Sequence, residues 1–406
     1  MGNDSTVLVV GGGVTGTGVA RDLALRGVDV TLVERDGLGS GTSGRSHGVL
    51  HSGGRYAERD GVSARECIEE NRTLRSIAGG CISETGGLFV QLEGDDPEYF
   101  ERKRTACEEV GMETEEFDGK TARDRVPALS EDVERALTVP DGVVFPSRLC
   151  AANAADAEAH GATVHSHTPL EGLTVDGGQV REAELGGAVD DQVPVDHIVN
   201  AAGAWAGETA AMAGLNVNMA PARGVMVAVE HDSVGPVVNR CRNPDDGDIV
   251  VPHESEAVLG TTSVPVEDPE EYAKEEWEVE RSIEECAEMV PSVATAPVVR
   301  RWWGVRPLYA PEEAGEDRRQ ISRGFAVLDH ATDGVANATS VVGGKLTTYR
   351  QMAEDTANQV CDRLGVEADC ETADRTLYAA DDPERLDELV DAYGGANPTD
   401  EPVVAS

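Results

Sequence analysis

Positive charge is scarce in this 406-residue sequence. Lysine and arginine together number 34, against 76 aspartate and glutamate residues, so the formal net charge is −42. A surface this acidic argues against binding to nucleic acid or to anionic lipid. The composition is typical of halophilic acidic proteins, whose charge repulsion is screened by salt; an ordinary acidic cytosolic protein is the alternative.

Long hydrophobic runs and closely spaced cysteine pairs are also missing. No apolar stretch reaches the ~18 residues that a membrane-spanning helix needs, and the chain enters a predicted strand too early to leave room for a signal peptide. None of the eight cysteines forms a C-x-x-C pair, so we expect reduced, scattered thiols and neither a zinc nor an iron–sulfur site. His165 and His167 could share one face of a strand, but no third ligand is evident, so no metal is predicted.

The first forty residues carry the strongest motif in the chain. An apolar run at residues 7–10 leads into a G-x-G-x-x-G turn, a helical pattern follows at 19–26, and a second β-rich run at 28–33 ends in an acid, Glu34. In a dinucleotide-binding unit the first glycine makes the turn, the second lets the backbone approach the pyrophosphate, and the third lets the helix pack on the strand. The three glycines are Gly11, Gly13 and Gly16. Glu34 is placed to accept hydrogen bonds from ribose hydroxyls. The motif alone does not separate FAD from NAD.

Three further segments bring small residues next to chemically active ones. Residues 39–56, GSGTSGRSHGVLHSGGRY, combine glycine and serine with histidine, arginine and tyrosine, which predicts a ligand-binding loop. Residues 195–205 and 339–348 each predict a strand that ends in a glycine turn. Between them, short β runs over 219–265 predict an antiparallel sheet in a second domain, and residues 269–290 predict an exposed helix. The end of the chain, 397–406, is predicted to be disordered.

Together these segments resemble the FAD-dependent glycerol-3-phosphate dehydrogenases, and most closely the flavin-carrying polypeptide of the anaerobic, quinone-linked enzyme. The resemblance covers nearly all of residues 5–380 and rests on the motifs GTSGRSHGVLHSGGRYA, SARECIEEN, NAAGAWA, NRCRNP, GTTS, GVRPL, SRGFAVLDH and GGKLTTYR. Two departures stand out: Phe145 occupies a position where the family usually has aspartate, and the cysteine-containing C-terminal domain of that polypeptide is absent from this sequence.

The resemblance implies an α/β fold in which a Rossmann-like, glutathione-reductase-type FAD domain is interleaved with an antiparallel-sheet α+β substrate domain. We predict the FAD domain at 1–80, 145–215 and 325–366, the substrate domain at 81–144 and 216–324, and a partly disordered C-terminal extension at 367–406. The implied reaction oxidises sn-glycerol 3-phosphate to dihydroxyacetone phosphate, with hydride passing from C2 to FAD N5 and electrons passing through partner subunits to quinone. The implied location is cytoplasmic; attachment to the membrane face through those subunits, and a homo-oligomer, stay open.

Site residues follow from matching positions in the family motifs. Arg55 and Arg323 are assigned mainly to the substrate phosphate, since guanidinium groups bind phosphate through two parallel hydrogen bonds, and Arg306 to the C2 oxygen. Lys345 serves either the substrate hydroxyl or the flavin N1–O2 edge. His51 is the first choice for the proton acceptor. Tyr56 is predicted to orient the substrate.

The predicted contacts to the cofactor come from the four glycine-bearing segments and, in addition, from Leu170. They are Gly11, Gly12, Gly13, Val14, Thr15, Gly16, Glu34, Arg35, Thr42, Ser43, Ser46, His47, Gly48, Leu50, His51, Leu170, Ala202, Gly203, Gly343, Gly344, Lys345, Leu346 and Thr347.

Two rival functions remain open at this level. An FAD-dependent 2-hydroxy-acid or amino-acid oxidase or dehydrogenase would share the FAD units but would not need several cations for a phosphate. A non-catalytic flavoprotein scaffold in a membrane-associated complex would bind FAD without being reduced by substrate.

Overall fold

The computed structural model describes residues 6–310, 321 and 324–404. Within these residues the α-helices are α1 Val14–Leu25, α2 Gly61–Ile77, α3 Pro97–Glu109, α4 Gly119–Arg125, α5 Pro146–Ala159, α6 Ala206–Met212, α7 Glu276–Met289, α8 Tyr349–Leu364, α9 Pro383–Ala392 and α10 Glu401–Val404. The strands are β1 Thr6–Val10, β2 Asp29–Val33, β3 Val49–Leu50, β4 Ile82–Ser83, β5 Gly87–Leu92, β6 Glu116–Asp118, β7 Val133–Val139, β8 Gly142–Val144, β9 Thr163–His165, β10 Leu170–Asp176, β11 Gln179–Leu185, β12 Asp191–Pro194, β13 His197–Asn200, β14 Ala222–Glu230, β15 Val237–Arg240, β16 Ile249–His253, β17 Glu256–Gly260, β18 Val264–Pro265, β19 Val298–Arg306, β20 Phe325–Asp329 and β21 Ala338–Gly343.

A six-stranded sheet carries the dinucleotide motif. Its order is β20-β21-β13-β1-β2-β9, and every neighbouring pair is parallel except β20 with β21. The apolar runs predicted at 7–10 and 28–33 form the adjacent strands β1 and β2, which pack against α1, and α1 packs in turn against α5 and α8. Strands buried on both faces are expected to read as continuous apolar runs. The glycine turns that follow β1, β13 and β21 therefore lie at one edge of the same sheet.

A nine-stranded sheet forms the second part of the fold. Its order is β18-β14-β17-β16-β15-β5-β7-β6, with β19 paired to β14. All pairs are antiparallel except β5 with β15. Strands of the two sheets come from alternating stretches of chain, so the predicted interleaving is confirmed, whereas the exact domain boundaries stay a prediction. Two three-stranded antiparallel sheets, β10-β11-β12 and β3-β8-β4, complete the fold.

Aspartate and proline set several helix starts in this acidic chain. Asp60, Asp96 and Asp382 each accept a backbone N–H at the start of a helix, and proline follows directly in two of them. Such caps satisfy N–H groups that have no partner inside the helix, and proline suits the first helical position. The exposed helix predicted at 269–290 begins later, at Glu276, where Glu275 and Glu278 form a capping box.

The prediction of disorder at 397–406 is wrong for residues 397–404. Asn397, Thr399 and Asp400 are buried, and α10 follows them. Ser147, at the start of α5, donates from its backbone N to Asp400 Oδ2 at 2.8 Å and from its hydroxyl to Oδ1 at 2.7 Å. The polar composition suggested disorder, but here the polar side chains satisfy buried backbone and hydroxyl groups.

This buried carboxyl predicts how stability depends on pH. Burial raises the pKa of Asp400 to about 6, although the hydrogen bonds from Ser147 lower it. The folded state therefore binds a proton more tightly than the unfolded state, and the stability gained by protonation is lost as pH rises through 6. Asp400→Asn should remove this dependence. The unfolding free energy of the unmodified protein minus that of the variant should therefore be larger at pH 5 than at pH 7 by about 1 kcal/mol. Urea unfolding of both proteins at fixed salt measures this, and a constant difference would contradict it.

Among the described residues no helix is long and apolar enough to cross a membrane.

Candidate active site

A cleft runs along the sheet edge where β1, β13 and β21 end. Its wall combines the turns after these strands with residues from the loop that follows β2. Of the predicted cofactor contacts, those that line the cleft are Gly11, Gly13, Val14, Thr15, Glu34, Arg35, Thr42, Ser43, Ser46, Leu170, Ala202, Gly203, Gly343, Gly344, Lys345 and Leu346. The three predicted junctions therefore meet in one place.

The glycines of the first turn permit packing that no other residue allows. Gly11 has φ +110°, and a Cβ there would lie 2.6 Å from the carbonyl oxygen of Ala201. A Cβ on Gly16 would overlap the carbonyl oxygen of Gly11. Gly13, by contrast, faces only the Ser43 hydroxyl at 3.2 Å. Gly16 thus brings α1 close to β1, and Gly13 leaves the N-terminus of α1 open to an anion.

Glu34 lies at the end of β2 and is engaged with backbone N–H groups. Gly12 N donates to its Oε2 at 2.6 Å and Asp36 N to its Oε1 at 3.0 Å. Burial raises the pKa of this carboxyl, and the two backbone donors act against that shift. The carboxylate lines the cleft, so its ribose-binding role stays a prediction consistent with its position.

The cleft also contains residues that the sequence did not point to individually. Trp205 lines it with its indole Nε1 buried and without a hydrogen-bond partner among residues 6–310, 321 and 324–404. The Arg35 guanidinium lies 4.5 Å from the centre of the Trp205 ring and pairs with Glu270. The motif NAAGAWA contained this tryptophan, but only its glycine and alanine were assigned. A buried donor and small residues around a phosphate-binding turn suit a bound dinucleotide. Further lining residues that sequence reasoning missed are Val10, Val33, Thr168, Pro169, Glu208, Thr209, Met212 and Pro307.

Some predicted cofactor contacts are not among the residues that line the cleft. Leu50 is fully buried on β3, and Thr347 Oγ1 accepts a hydrogen bond from His51 N at 3.0 Å. The remaining predicted contacts that do not line the cleft are Gly12, Gly16, His47, Gly48 and His51.

Phe145, where the family usually has aspartate, is the N-cap residue of α5 and packs in a hydrophobic cluster with Trp302 and Val403.

Next to Lys345 the structure gathers three of the predicted chemical groups. The His51 ring centre lies 5.6 Å from that of His47 and 5.7 Å from that of Tyr56, both edge-on. Lys345 Nζ lies 5.3 Å from the centre of the Tyr56 ring. Lys345 also lines the cleft, so this cluster borders the place where the glycine turn of β21 meets the loop at 51–56.

The loop at 51–56 is held in place from several sides. Ser52 N donates to the buried Asp141 at 2.7 Å, and Asn71 Nδ2 contacts the carbonyl oxygen of His51 at 3.2 Å. Lys103 is fully buried, donates from Nζ to the Gly54 carbonyl oxygen at 2.8 Å and pairs with a glutamate. Because every attachment is a hydrogen bond to a buried partner, His51 and Tyr56 are presented on a fixed backbone.

The predicted arginines differ in their surroundings. Arg306 ends β19 and is not among the residues that line the cleft, but its neighbours lie close to it: Pro307 lines the wall, and Val305 O accepts a hydrogen bond at 2.7 Å from Oγ1 of Thr42, which lines it. Arg306 Nη2 contacts Thr261 Oγ1 at 3.1 Å. Arg55 instead donates to Asp248 at 2.7 Å and to Asn239 at 2.9 Å. Its charge is therefore balanced within the protein, and its phosphate role stays a prediction. Arg323 lies outside the described residues.

The described residues contain no group of three or more histidine, cysteine or acidic side chains that could hold a metal. His165 ends β9 and His167 has a positive φ of 52°, so the two do not continue one strand face.

Comparison with known proteins matches this cleft to a family. The family model described as "FAD dependent oxidoreductase" matches residues 6–359. The chain belongs to the FAD-dependent oxidoreductase family. It is 50% identical over 413 residues to the A1 subunit of the anaerobic glycerol-3-phosphate dehydrogenase of Haloferax volcanii, a match that covers 98% of this chain and 70% of that protein. The resemblance stated from the motifs is thereby confirmed, as is FAD as the cofactor.

Solved structures of the family share the fold at low sequence identity. The glycerol-3-phosphate dehydrogenase from Bacillus halodurans complexed with FAD matches with a TM-score of 0.72 and 23% identity, over 98% of this chain and 77% of that one. Glycine oxidase from Geobacillus kaustophilus matches with a TM-score of 0.71 and 21% identity, over 91% and 97%. The fold therefore confirms the predicted architecture but does not choose between a phosphorylated alcohol and an amino acid.

Proposed function

We propose that the protein oxidises sn-glycerol 3-phosphate to dihydroxyacetone phosphate and passes the electrons through partner subunits to a quinone at the cytoplasmic face of the membrane. The observation that carries the substrate is the 50% identity, over almost the whole chain, to one polypeptide of a glycerol-3-phosphate dehydrogenase. That relative is named as one subunit of an enzyme, which supports the existence of partner subunits.

Lys345, which lines the cleft, and nearby residues suit this substrate chemically. When bound, FAD supplies the hydride acceptor for C2. Arg306 and Lys345 bring two positive charges to a substrate that carries a phosphate dianion, and Arg306 polarises the C2 oxygen. His51 accepts the proton of the C2 hydroxyl, and Tyr56 orients that hydroxyl. The cations are notable because the chain has so few: Lys345 is one of four lysines.

The alternative is an oxidase or dehydrogenase for a 2-hydroxy acid or an amino acid. The similarity in fold to glycine oxidase favours keeping it as a second candidate. Such a substrate offers one carboxylate, which a single arginine can bind in bidentate fashion, and leaves the lysine beside Tyr56 without a role.

One experiment separates the candidates. Anaerobic titration of the purified yellow protein with glycerol 3-phosphate should bleach the flavin absorbance, whereas glycine, lactate and unphosphorylated glycerol at the same concentrations should not. Bleaching by an amino or hydroxy acid alone would replace the proposed substrate. Absence of bleaching by every compound, with FAD bound, would favour a non-catalytic flavoprotein.

A further inference from the structure

A loop that forms part of the cleft wall is hydrogen-bonded to residues 397–400. We call residues 38–48 the FAD loop, because Thr42, Ser43 and Ser46 line the cleft, and residues 397–400 the C-terminal clamp. Ser43 Oγ accepts a hydrogen bond from Val14 N at 3.0 Å, so the loop touches the N-terminus of α1 directly. A displacement of the FAD loop would therefore disturb the phosphate-binding turn.

Thr399 bridges two carbonyl groups of the FAD loop. Its hydroxyl oxygen lies 2.8 Å from the Gly44 carbonyl oxygen and 2.7 Å from that of Ser46, and its backbone N contacts Gly44 O at 3.3 Å. A hydroxyl has one hydrogen, which the two carbonyls share, while the backbone N–H supplies a second donor to Gly44. Thr399 is fully buried. These contacts fix the backbone on both sides of Arg45, directly beside the two serines that line the cleft.

Asn397 holds the beginning of the same loop. Its Nδ2 donates to the Leu38 carbonyl oxygen at 3.1 Å and contacts Ser147 Oγ at 2.9 Å. Ser147 in turn is bound by Asp400. The clamp is thus fixed to the start of α5, and the two valines of α10 that follow it, Val403 and Val404, are packed in separate hydrophobic clusters.

Glycines of the FAD loop face the clamp. A Cβ on Gly44 would overlap the Asn397 side chain, and a Cβ on Gly39 would lie 2.9 Å from Asn397 Nδ2. A Cβ on Gly48 would lie 2.9 Å from Thr399 Cγ2. The sequence suggested that these glycines let the loop approach a ligand; in the structure they let it approach the end of the chain. The FAD loop and the C-terminal clamp therefore have complementary surfaces, and their hydrogen bonds lie inside the contact between them.

We propose that the C-terminal clamp is a positioning element for FAD, with Thr399 as its central residue. The clamp contacts the loop without lining the cleft itself, and it selects the loop conformation in which Ser43 and Ser46 face the cofactor. Without it, the loop samples other conformations when FAD is absent, and binding has to restore the competent one. The apparent affinity for FAD is then the intrinsic affinity multiplied by the fraction of molecules whose loop is already in the binding conformation.

Thr399→Val tests the proposal, because valine keeps the shape and removes the hydroxyl. We expect the dissociation constant for FAD, measured by titrating the apoprotein at fixed salt, to rise about 10-fold, on the scale of a buried carbonyl that loses its donor. Thr399→Ser should restore binding to within about threefold. Reconstitution with FAD is the readout, so the result does not depend on the identity of the substrate.

Thr356→Val is the matched control. Thr356 is also fully buried, and its hydroxyl donates to Met352 O within α8 at 2.7 Å. If both valine variants lose thermal stability but only Thr399→Val loses FAD affinity, the clamp positions the cofactor loop. A dissociation constant within twofold of the unmodified protein, or equal weakening in Thr356→Val, overturns the proposal. Should Thr399→Val not fold, Asn397→Ala tests the same clamp through its other donor, with the same expected weakening and the same criterion for rejection.

Discussion

Replacing Arg306 by alanine should lower kcat/KM for glycerol 3-phosphate by about 10²-fold or more, the scale observed when an enzyme loses one electrostatic donor to a developing charge. Arg306 lies between Val305, whose carbonyl oxygen accepts a hydrogen bond from the cleft residue Thr42, and Pro307, which lines the cleft. The substitution changes neither of these two residues. FAD should therefore stay bound, and the absorbance spectrum of the oxidised flavin should be nearly unchanged.

Arg301→Ala supplies the control for this prediction. Arg301 lies on the same strand, β19, but its side chain is half exposed and pairs with Glu276 on α7. An exposed ion pair contributes little to stability, so this variant should turn over normally. Near-normal kcat/KM in Arg306→Ala, or an equal loss in Arg301→Ala, would contradict the proposed role of Arg306 in catalysis. Loss of FAD from Arg306→Ala would assign it to the cofactor instead.

Local spacing was enough to predict the dinucleotide unit. The distances between Gly11, Gly13 and Gly16 and the strands around them are set within one β-turn-α unit, where sequence separation and spatial separation are nearly the same. The structure adds the reason for two of the glycines, since a Cβ on Gly11 or Gly16 would meet a carbonyl oxygen. Strand ends that face one edge of a parallel sheet also follow from topology, which is why the junctions at Gly203 and Gly343 could be placed at the same cleft.

Partners far apart in the chain could not be predicted in this way. Arg55 pairs with Asp248, which is 193 residues away in the sequence. A motif that contains an arginine does not show whether a carboxylate of the same protein neutralises its charge. Thr399 and Gly44 are 355 residues apart. The composition of residues 397–406 is polar and typical of disorder. Only the structure shows that side chains from this segment pack beside glycines of the FAD loop.

Residue type alone also left the role of the buried indole open. Trp205 follows a strand end at which small residues were expected to touch the cofactor, and a large aromatic side chain contradicts that pattern locally. In the structure its ring stacks under Arg35 and its Nε1 is buried in the wall of the cleft. The approach of this strand end to the cofactor stays a prediction, and only the structure shows that the Trp205 side chain lines the cleft beside Arg35.

The second large effect is expected from His51→Gln, which should slow reduction of the flavin by glycerol 3-phosphate about 10²- to 10⁴-fold, the range that general base catalysis contributes. Glutamine keeps hydrogen-bonding capacity but does not accept a proton. The backbone bonds of residue 51, to Thr347 and Asn71, do not involve the imidazole, so the loop should keep its conformation and KM should change little. Stopped-flow bleaching under anaerobic conditions measures the step directly. The residual rate should rise with pH, because hydroxide from solvent then removes the proton.

Two comparisons decide whether His51 is the base. His231→Gln alters a partly buried histidine whose Nε2 contacts Ser292, and flavin reduction in this variant should proceed at the unmodified rate. Tyr56→Phe removes the phenol of the cluster beside Lys345, whose ring lies edge-on to His51; as an orienting donor its loss should cost about tenfold, on the scale of one hydrogen bond of about 1.4 kcal/mol. A loss below tenfold in His51→Gln together with a larger one in Tyr56→Phe would move the proton acceptor from the imidazole to the phenol, because only the group that takes the proton limits the rate so strongly.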